Sequence, residues 1–320
     1  MRLLVTGGAG FIGSNFVQMV ATGELPGISK MIVLDKLTYA GNIENINHLP
    51  DNSYEFVLGD ISDPEMVTRL ISKSDVVVNF AAESHVDRSI NNSYAFTHTN
   101  ILGTQVLLEA SRKSNIKTFI QVSTDEVYGS IPIGSSKESD PLLPNSPYAA
   151  SKAASDLISR AFHKTYEVDV RITRCSNNYG PFQFPEKIIP LFITNLIENK
   201  SVPLYGTGLN VREWLHVTDH CRGIHSAIIN GRAGEIYNFG SGKELTNIEL
   251  TNQIIKIMGF DESKIEKVAD RLGHDFRYSL DTSKSMSELK FVPQVSWDSG
   301  LQKTIDWYMN NEHWSRKLKK

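Results

Sequence analysis

Residues 3–15 read LLVTGGAGFIGSN, an apolar strand-like run that leads through four glycines into a segment with helical periodicity. Glycine is required where the chain turns tightly, where a ligand approaches the backbone and where a helix packs closely on a strand. The helix that follows offers backbone N–H groups and a positive partial charge to a phosphate. The stretch therefore predicts a Rossmann-type fold, with a dinucleotide pyrophosphate held at Gly7, Gly10 and Gly13.

The chain beyond this stretch alternates between short apolar runs and longer segments with helical periodicity, as repeated βαβ units do. Parallel strands buried on both faces carry near-continuous apolar runs of this kind. The predicted strands are 3–6, 31–35, 55–60, 75–80, 118–123 and 170–173, and the predicted helices are 14–22, 95–114 and 148–166. The pattern predicts an α/β protein whose doubly wound parallel sheet occupies a dinucleotide-binding domain over residues 1–178.

The character of the chain changes after Tyr179, where turn-rich stretches surround a predicted helix at 188–199. We predict a smaller, mixed α/β C-terminal lobe over residues 179–320 that binds the substrate. The helix-like segment 215–230 and the strand-like segment 235–240 have the character needed to return to the main sheet. The predicted boundary between the two domains is therefore interleaved.

Composition and charge exclude several classes of protein. With 320 residues, 40% apolar content and a formal charge of −3, the chain is globular in composition and lacks a basic face for nucleic acid. Its two cysteines, Cys175 and Cys221, lack the spacing of a disulfide framework or a zinc site. No apolar run approaches the ~18 residues of a membrane helix and no secretion signal precedes the first strand. We expect a cytoplasmic protein with no membrane, nucleic acid or metal partner.

The second predicted strand ends at Asp35, roughly 20 residues beyond the last glycine, where a carboxylate can accept hydrogen bonds from the adenosine ribose hydroxyls. This favours NAD, because Asp35 would repel the 2′-phosphate of NADP. Lys36 beside it keeps NADP open as an alternative. Asp60 and Ile61 close the third predicted strand and could flank the adenine.

The stretch SPYAASKAASD at 146–156 places Tyr148 and Lys152 one turn apart on one face of a predicted helix. A phenol titrates near about 10, so it can take an alcohol proton at neutral pH only if a nearby cation stabilises its anion. Lys152 supplies that cation. Thr124 ends the fifth predicted strand, at the edge where open α/β sheets bind ligands, and its hydroxyl can position a substrate oxygen.

The glycine loop, Thr124 and the Tyr148–Lys152 pair together resemble the extended short-chain dehydrogenase/reductase family, over essentially the whole chain. The resemblance implies the fold, NAD as cofactor, and a homodimer formed through helices such as the one that starts at Tyr148. It also implies a cofactor site that extends along the strand ends. The implied cofactor-binding residues are Gly7, Gly10, Phe11, Ile12, Gly13, Asp35, Lys36, Leu37, Thr38, Asp60, Ile61, Phe80, Ala81, Ala82, Ser84, Thr99, Tyr148, Lys152 and Asn178.

Asp125 and Glu126 follow Thr124 directly, and two carboxylates at this strand end suit a reaction with a second pair of proton transfers. Elimination of water is such a reaction. Once C4 of a hexose is a ketone, the C5 hydrogen is acidic and a carboxylate can remove it. An acid then protonates the departing C6 hydroxyl, and the stored hydride can return to C6. The alternative is that both carboxylates only solvate a loop.

Within that family the chain is similar to the nucleotide-sugar 4,6-dehydratases that act on dTDP-glucose. The similarity implies that Tyr148 takes the O4 proton, Glu126 is the C5 base and Asp125 is the acid. Asp125 is the discriminating residue, because epimerases usually lack the acidic pair and several related enzymes have serine at this position. The similar stretches are TGGAGFIGSN, DKLTYAGN, AAESHVDRSI, STDEVYGS, NSPYAASKAASD, RCSNNYGPFQFPEKIIPLF and NVREWLHVTDHCRGI.

A nucleoside diphosphate needs cations, and a planar base needs apolar or aromatic walls. Three residues depart from the family's pattern, since Leu272 replaces a usual proline, Phe276 a common arginine and Phe182 a frequent tyrosine. They bear on selectivity for base and phosphate. The implied substrate-binding residues are Ser84, Thr124, Asn177, Lys187, Pro203, Leu204, Tyr205, Arg212, Asn247, Arg271 and His274.

The residues leave two other functions open. Another NAD-dependent nucleotide-sugar enzyme, an epimerase or a decarboxylase, would give a product that keeps its C6 oxygen or loses carbon dioxide. A redox-sensing binding module would keep the nucleotide fold without the chemistry. Such proteins usually lose the tyrosine or the lysine, and this chain has both.

Overall fold

The computed structural model describes residues 1–270 and 273–319. Seven strands form one sheet that is parallel throughout. In chain order these strands are β1 (Arg2–Thr6), β2 (Lys30–Asp35), β3 (Glu55–Leu58), β4 (Val76–Asn79), β5 (Thr118–Thr124), β6 (Val170–Cys175) and β10 (Ile236–Phe239). Their spatial order is β3-β2-β1-β4-β5-β6-β10, so the chain reverses direction across the sheet between β1 and β4.

Helices cover both faces of this sheet, because each strand sends successive side chains to opposite sides. Leu3 and Val5 of β1 pack with Phe16 on one face, whereas Leu4 packs with Leu107 on the other. The predicted Rossmann-type, doubly wound parallel sheet is confirmed. The helices are α1 (Phe11–Ala21), α2 (Pro64–Ile71), α3 (Val86–Asn91), α4 (Ser93–Phe96), α5 (Thr104–Lys113), α6 (Pro147–Tyr166), α7 (Ile188–Ile197), α8 (Val217–Asn230), α9 (Asn247–Ile257), α10 (Ser283–Leu289), α11 (Trp297–Asn310) and α12 (Glu312–Leu318).

The C-terminal lobe is a smaller mixed structure. One sheet has the order β11-β9-β7, in which β9 pairs antiparallel with β11 and parallel with β7, and β12 pairs with β8 in a second sheet. Its core includes Phe192, Trp214 and Ile305. β10 lies beside β6 in the main sheet, and α8 packs on α1. The strands are β7 (Asn177–Tyr179), β8 (Val202–Tyr205), β9 (Val211–His216), β11 (Glu244–Thr246) and β12 (Ile265–Val268).

The predicted helix at 95–114 is interrupted by a π-helical segment, Thr97–Gly103, between α4 and α5. Such wide turns recur at functional sites because they rotate side chains out of the regular helical register. Here the Asn100 amide donates to the Glu83 carbonyl at 3.0 Å and accepts from the Glu83 amide at 2.9 Å. The turn therefore fixes the chain that leaves β4.

Among the residues that the structure describes, none of the helices combines the length and apolar character needed to cross a membrane.

Candidate active site

The glycine loop lies between β1 and α1, pressed against the chain that follows β4. Gly7 has a φ of +68°, and a Cβ built there would lie 2.6 Å from the backbone nitrogen of Ala81. A Cβ on Gly13 would lie 2.2 Å from the carbonyl oxygen of Gly7. Within the described residues, no side chain caps the first turn of α1, which begins after Gly10. The loop therefore leaves a backbone cradle with helix N–H groups available to an anion.

We expect Gly13→Ala to weaken both the fold and the cradle, because the new methyl group would meet backbone atoms that cannot rotate away. The free energy of unfolding should fall by about 1–3 kcal/mol, the usual cost of overpacking, and less dinucleotide should copurify. Denaturant titration and assay of the released cofactor measure both effects.

Gly134→Ala is the matched control for this substitution. Its methyl group would meet no atom within 4 Å, although its φ of +82° imposes backbone strain. This control should lose stability and keep its cofactor. Full cofactor occupancy in Gly13→Ala would contradict the assignment of the cradle.

Asp35 ends β2 with its carboxylate held by two backbone amides. Its Oδ2 accepts from the Ala9 nitrogen at 2.9 Å and its Oδ1 from the Leu37 nitrogen at 2.8 Å. Lys36, the residue that kept NADP open, pairs instead with Asp60 at 2.6 Å. Asp35 is therefore fixed at this strand end, and Lys36 is paired with another carboxylate. This arrangement favours a ribose over a 2′-phosphate.

A large cleft, here called the glycine-loop cleft, runs from this loop past the ends of β2, β4 and β5 to α6. Of the predicted cofactor-binding set, Leu37 and Asn178 do not line it. Leu37 occupies the turn after β2 with a φ of +51°. Asn178 is buried between the Ser176 carbonyl and His220, and lines the neighbouring cleft. The other predicted members line the cleft: Gly7, Gly10, Phe11, Ile12, Gly13, Asp35, Lys36, Thr38, Asp60, Ile61, Phe80, Ala81, Ala82, Ser84, Thr99, Tyr148 and Lys152.

Tyr148 and Lys152 lie at the inner end of this cleft, on the first turns of α6. The helix starts at Pro147, one residue before the predicted start, with the Ser146 hydroxyl as its N-terminal cap. Tyr148 is 8% and Lys152 4% exposed. The Lys152 ammonium donates to the Val122 carbonyl of β5 at 2.6 Å. The two side chains therefore share one face of α6, as the sequence predicts.

The turn after β5 holds both carboxylates. Thr124 caps this turn by accepting from the Glu126 nitrogen at 3.3 Å, and its hydroxyl donates to Asp125 Oδ1 at 3.1 Å. Burial raises the pKa of Asp125 well above its ordinary value, and the charges of Glu126 and Glu213 raise it further. A carboxyl group in this environment retains its proton and can act as an acid.

The surroundings of Tyr148 and Lys152 act on the protonation of both side chains. Burial raises the pKa of its phenol well above the ordinary value, and the charge of Glu126 raises it further. Burial also lowers the pKa of Lys152. Burial therefore opposes both the Tyr148 phenolate and the Lys152 ammonium in the protein without a ligand.

A second cleft, here called the lobe cleft, lies between the main sheet and the C-terminal lobe. Of the predicted substrate-binding set, Ser84 lines the glycine-loop cleft, and Thr124 and Leu204 line neither cleft. Leu204 is only 1% exposed, because alternate residues of β8 face the core. Arg271 lies outside the described residues. The members that line the lobe cleft are Asn177, Lys187, Pro203, Tyr205, Arg212, Asn247 and His274.

The two clefts adjoin, since Gln183, Glu186 and Lys187 line both. Tyr148 lines the glycine-loop cleft and Glu126 the lobe cleft, and their charges interact. The phenol and the Glu126 carboxylate are therefore neighbours at the junction, whereas Asp125, which is 3% exposed, lines neither cleft.

Sequence reasoning missed an aromatic and charged cluster beside this junction. The Arg88 guanidinium lies 3.8 Å from the ring centre of Tyr39 and donates to Glu186 at 3.0 Å. Phe184 packs edge-on against Tyr39 with ring centres 5.4 Å apart. These residues lie in three of the stretches that are similar to the family, DKLTYAGN, AAESHVDRSI and RCSNNYGPFQFPEKIIPLF. Only the fold brings the three stretches together.

Of the departures from the family's pattern, Phe182 and Phe276 line neither cleft. Phe182 packs on Trp307 with ring centres 4.6 Å apart, in the lobe core. Phe276 is 56% exposed. Leu272 lies outside the described residues.

A parallel Rossmann-type sheet, a glycine cradle, and a tyrosine and lysine on one face of α6 define an extended short-chain dehydrogenase/reductase. The family model described as GDP-mannose 4,6 dehydratase matches residues 4–304. The dTDP-glucose 4,6-dehydratase of Streptomyces niveus is 53% identical over 322 residues, which cover 100% of this chain and 96% of that protein. The chain belongs to the dTDP-glucose 4,6-dehydratase family.

Solved structures agree with this assignment. The chain is similar to DesIV, the dTDP-glucose 4,6-dehydratase of Streptomyces venezuelae solved with NAD and TYD bound, with a TM-score of 0.98 and 56% identity over 99% of this chain and 100% of that one. It is also similar to the dTDP-glucose 4,6-dehydratase of Bacillus anthracis in complex with NAD, with a TM-score of 0.92 and 48% identity over 99% of each chain.

Proposed function

We infer that this chain is an NAD-dependent hydro-lyase that converts dTDP-glucose to dTDP-4-keto-6-deoxyglucose. The observation that carries the inference is the acidic pair, Asp125 and Glu126, on the turn beside Tyr148. An epimerase needs one proton-transfer residue at C4, whereas elimination of water needs a further base and a further acid. The raised pKa of Asp125, caused first by its burial, suits the acid.

The residues of the glycine-loop cleft fit NAD. The backbone cradle at Gly7 and Gly13 would hold the pyrophosphate, and Asp35 the adenosine ribose. Tyr148 and Lys152 lie at the opposite end, where the reacting ring belongs. When bound, NAD accepts a hydride from the sugar and later returns it, so the cofactor is unchanged after each turnover.

The residues at the junction have distinct proposed roles. Tyr148 acts as a phenolate, which Thr124, the Lys152 ammonium and the positive charge of bound NAD would stabilise, and it takes the proton of the C4 hydroxyl as C4 is oxidised. Glu126 then removes the C5 proton. Asp125 protonates the C6 hydroxyl, the C6–O bond breaks and water leaves. After the hydride reaches C6, C5 regains a proton and the 4-keto-6-deoxy sugar is complete.

We place the nucleoside diphosphate in the lobe cleft. The Arg212 side chain is 5% exposed, held by the Asp275 carbonyl at 2.9 Å and lying 4.5 Å from the ring centre of Tyr278. Such a fixed guanidinium suits a diphosphate. Lys187, whose ammonium donates to the Ser84 carbonyl at 2.9 Å, lies between the two clefts.

Product mass tests the proposed function directly. Incubation with dTDP-glucose should give a product lighter by one water, and UDP-glucose and GDP-glucose assayed alongside should turn over more slowly. An unchanged mass would indicate an epimerase, and loss of carbon dioxide from a glycuronate substrate a decarboxylase. Either result would overturn the proposal.

We also propose that the enzyme is cytoplasmic. We further propose that it consists of two interleaved domains, 1–178 and 179–320. The position of β10 beside β6 supports the interleaving. Cys175 and Cys221 are both buried free thiols, which agrees with a reducing compartment.

A homodimer is proposed through the outer face of the helices at 93–113 and of α6. These helices expose the side chains of Tyr94, Leu102 and Leu157, of which Leu157 is 56% exposed. Covering such a patch would remove apolar surface from water. Light scattering should give twice the chain mass for the wild type and a monomer for Leu102→Glu/Leu157→Glu. Ile133→Glu, on another exposed surface, is the control, and a monomeric wild type would contradict the proposal.

A further inference from the structure

A buried pair of opposite charges lies behind the reactive face of α6. Asp156 follows Lys152 by one helical turn, so Tyr148, Lys152 and Asp156 lie along one face. Asp156 Oδ2 accepts from Arg174 Nε on β6 at 2.9 Å, and the side chains are 1% and 3% exposed. Charged side chains are almost never buried to this degree unless they are paired.

One oxygen of Asp156 is not used by this ion pair. Its Oδ1 is buried and has no hydrogen-bond partner in the part of the chain that the structure describes. The Lys152 ammonium is also buried and donates to a neutral group, the Val122 carbonyl. Burial lowers the pKa of Lys152, and the charge of Asp156 is the largest influence in the opposite direction, followed by Cys175. The carboxylate therefore pairs directly with Arg174 and reaches Lys152, one helical turn away, only through its charge.

The other ionisable groups near α6 act at different places. Asp125 and Glu126, on the turn after β5, raise the pKa of Tyr148, for which burial is the largest cause. Arg174 on β6 faces Asp156. The contacts from the π-helical segment are neutral: Asn100 Nδ2 donates to Ser151 Oγ, and the Asn100 carbonyl accepts from Ser155 Oγ.

We propose that Asp156, fixed by Arg174, is a positioning residue that keeps the Lys152 ammonium charged beside Tyr148; this rests on the function proposed above. A lysine fully enclosed by protein loses its proton readily unless an anion is close. Without its charge, Lys152 could not support the Tyr148 phenolate that takes the proton of the C4 hydroxyl. Arg174 sets the position of the carboxylate and also contacts the turn that carries Asp125 and Glu126, by donating to Tyr128 at 2.8 Å.

The test is the titration of Lys152 in protein without substrate, followed by NMR of 13Cε-labelled lysine. The resonance of Lys152 is identified by its absence from Lys152→Arg. Asp156→Asn keeps the shape of the side chain and removes its charge. In this variant we expect the proton affinity of Lys152 to fall approximately tenfold, so that the ammonium loses its proton at lower pH. The alkaline limb of the pH profile of kcat should move to lower pH in parallel. Asp306→Asn, an exposed helix residue, is the control and should change neither.

The outcomes separate this proposal from the proposed function. An unshifted Lys152 titration in folded Asp156→Asn overturns the role of Asp156, even if the wild type dehydrates dTDP-glucose. A shifted titration supports it, and the substrate assay of the wild type separately decides the function. If Asp156→Asn does not fold, Asp156→Asn/Arg174→Met removes both buried charges, and its Lys152 titration decides by the same criterion. A purely structural role would lower kcat without moving the pH profile.

Discussion

In the Tyr148→Phe variant, kcat for dTDP-glucose should fall by roughly 10²–10⁴-fold while NAD stays bound. The substitution removes only the phenolic oxygen, and the ring keeps its edge-on contact with Phe96, whose centre lies 6.3 Å away. Without the oxygen nothing accepts the C4 hydroxyl proton, so the first hydride transfer cannot proceed. Stopped-flow absorbance of reduced nicotinamide should show no signal after mixing with substrate.

The control for this variant is Tyr166→Phe, which loses the same atom from a tyrosine that is 50% exposed. It should keep wild-type turnover. Cofactor content and thermal unfolding of both variants show whether Tyr148→Phe is folded and loaded. Normal turnover by folded, loaded Tyr148→Phe would refute the role of the phenol.

In the Glu126→Gln variant, oxidation at C4 should proceed and elimination should stall. Glutamine keeps the size of the side chain, and the turn keeps its cap because the Glu126 backbone nitrogen donates to Thr124. It cannot remove the C5 proton, so net dehydration should slow by roughly 10²–10⁴-fold. Reduced cofactor should therefore accumulate with substrate, visible as a lasting absorbance of reduced nicotinamide.

Glu55→Gln is the matched control, because Glu55 is exposed at the start of β3. It should show no accumulation of reduced cofactor. An unchanged dehydration rate in Glu126→Gln would remove Glu126 from the proposed mechanism and leave Asp125 and Tyr148 in place. A loss of C4 oxidation in this variant would also contradict the assignment, since the first step does not need this carboxylate.

The two variants should change the absorbance of reduced nicotinamide in opposite directions, so together they test the proposed order of the steps. Tyr148→Phe should give no reduced cofactor, and Glu126→Gln should give a persistent amount. The order follows from chemistry, because the C5 hydrogen becomes acidic only after C4 is a ketone.

Much of the fold could be predicted because its signals are local. Buried parallel strands require apolar runs such as 31–35, and the turn into α1 requires Gly7 and Gly13, whose Cβ atoms would meet backbone. The same locality explains why most of the predicted cofactor set lines one cleft, since these residues follow strand ends at one edge of the sheet. The π-helical turn at 97–103 has no comparable sequence signal.

Contacts across lobes were less accessible to prediction. The resemblance implies Pro203, Leu204 and Tyr205 as substrate contacts, but a strand alternates its faces and Leu204 points to the core. The cluster of Tyr39, Arg88 and Glu186 depends on three distant segments meeting. No periodicity along the chain encodes such a meeting.

The sequence by itself determined the doubly wound sheet, the glycine cradle and the pairing of Tyr148 with Lys152, because strand burial, tight turns and helical periodicity act between residues close in the chain. Only the tertiary structure decided which charges these groups experience. It buried Tyr148, which raises the pKa of its phenol, and it placed Arg174 of β6 against Asp156 of α6. The physical reason is that burial and electrostatic environment are set by the atoms packed around a group, most of which come from distant parts of the chain.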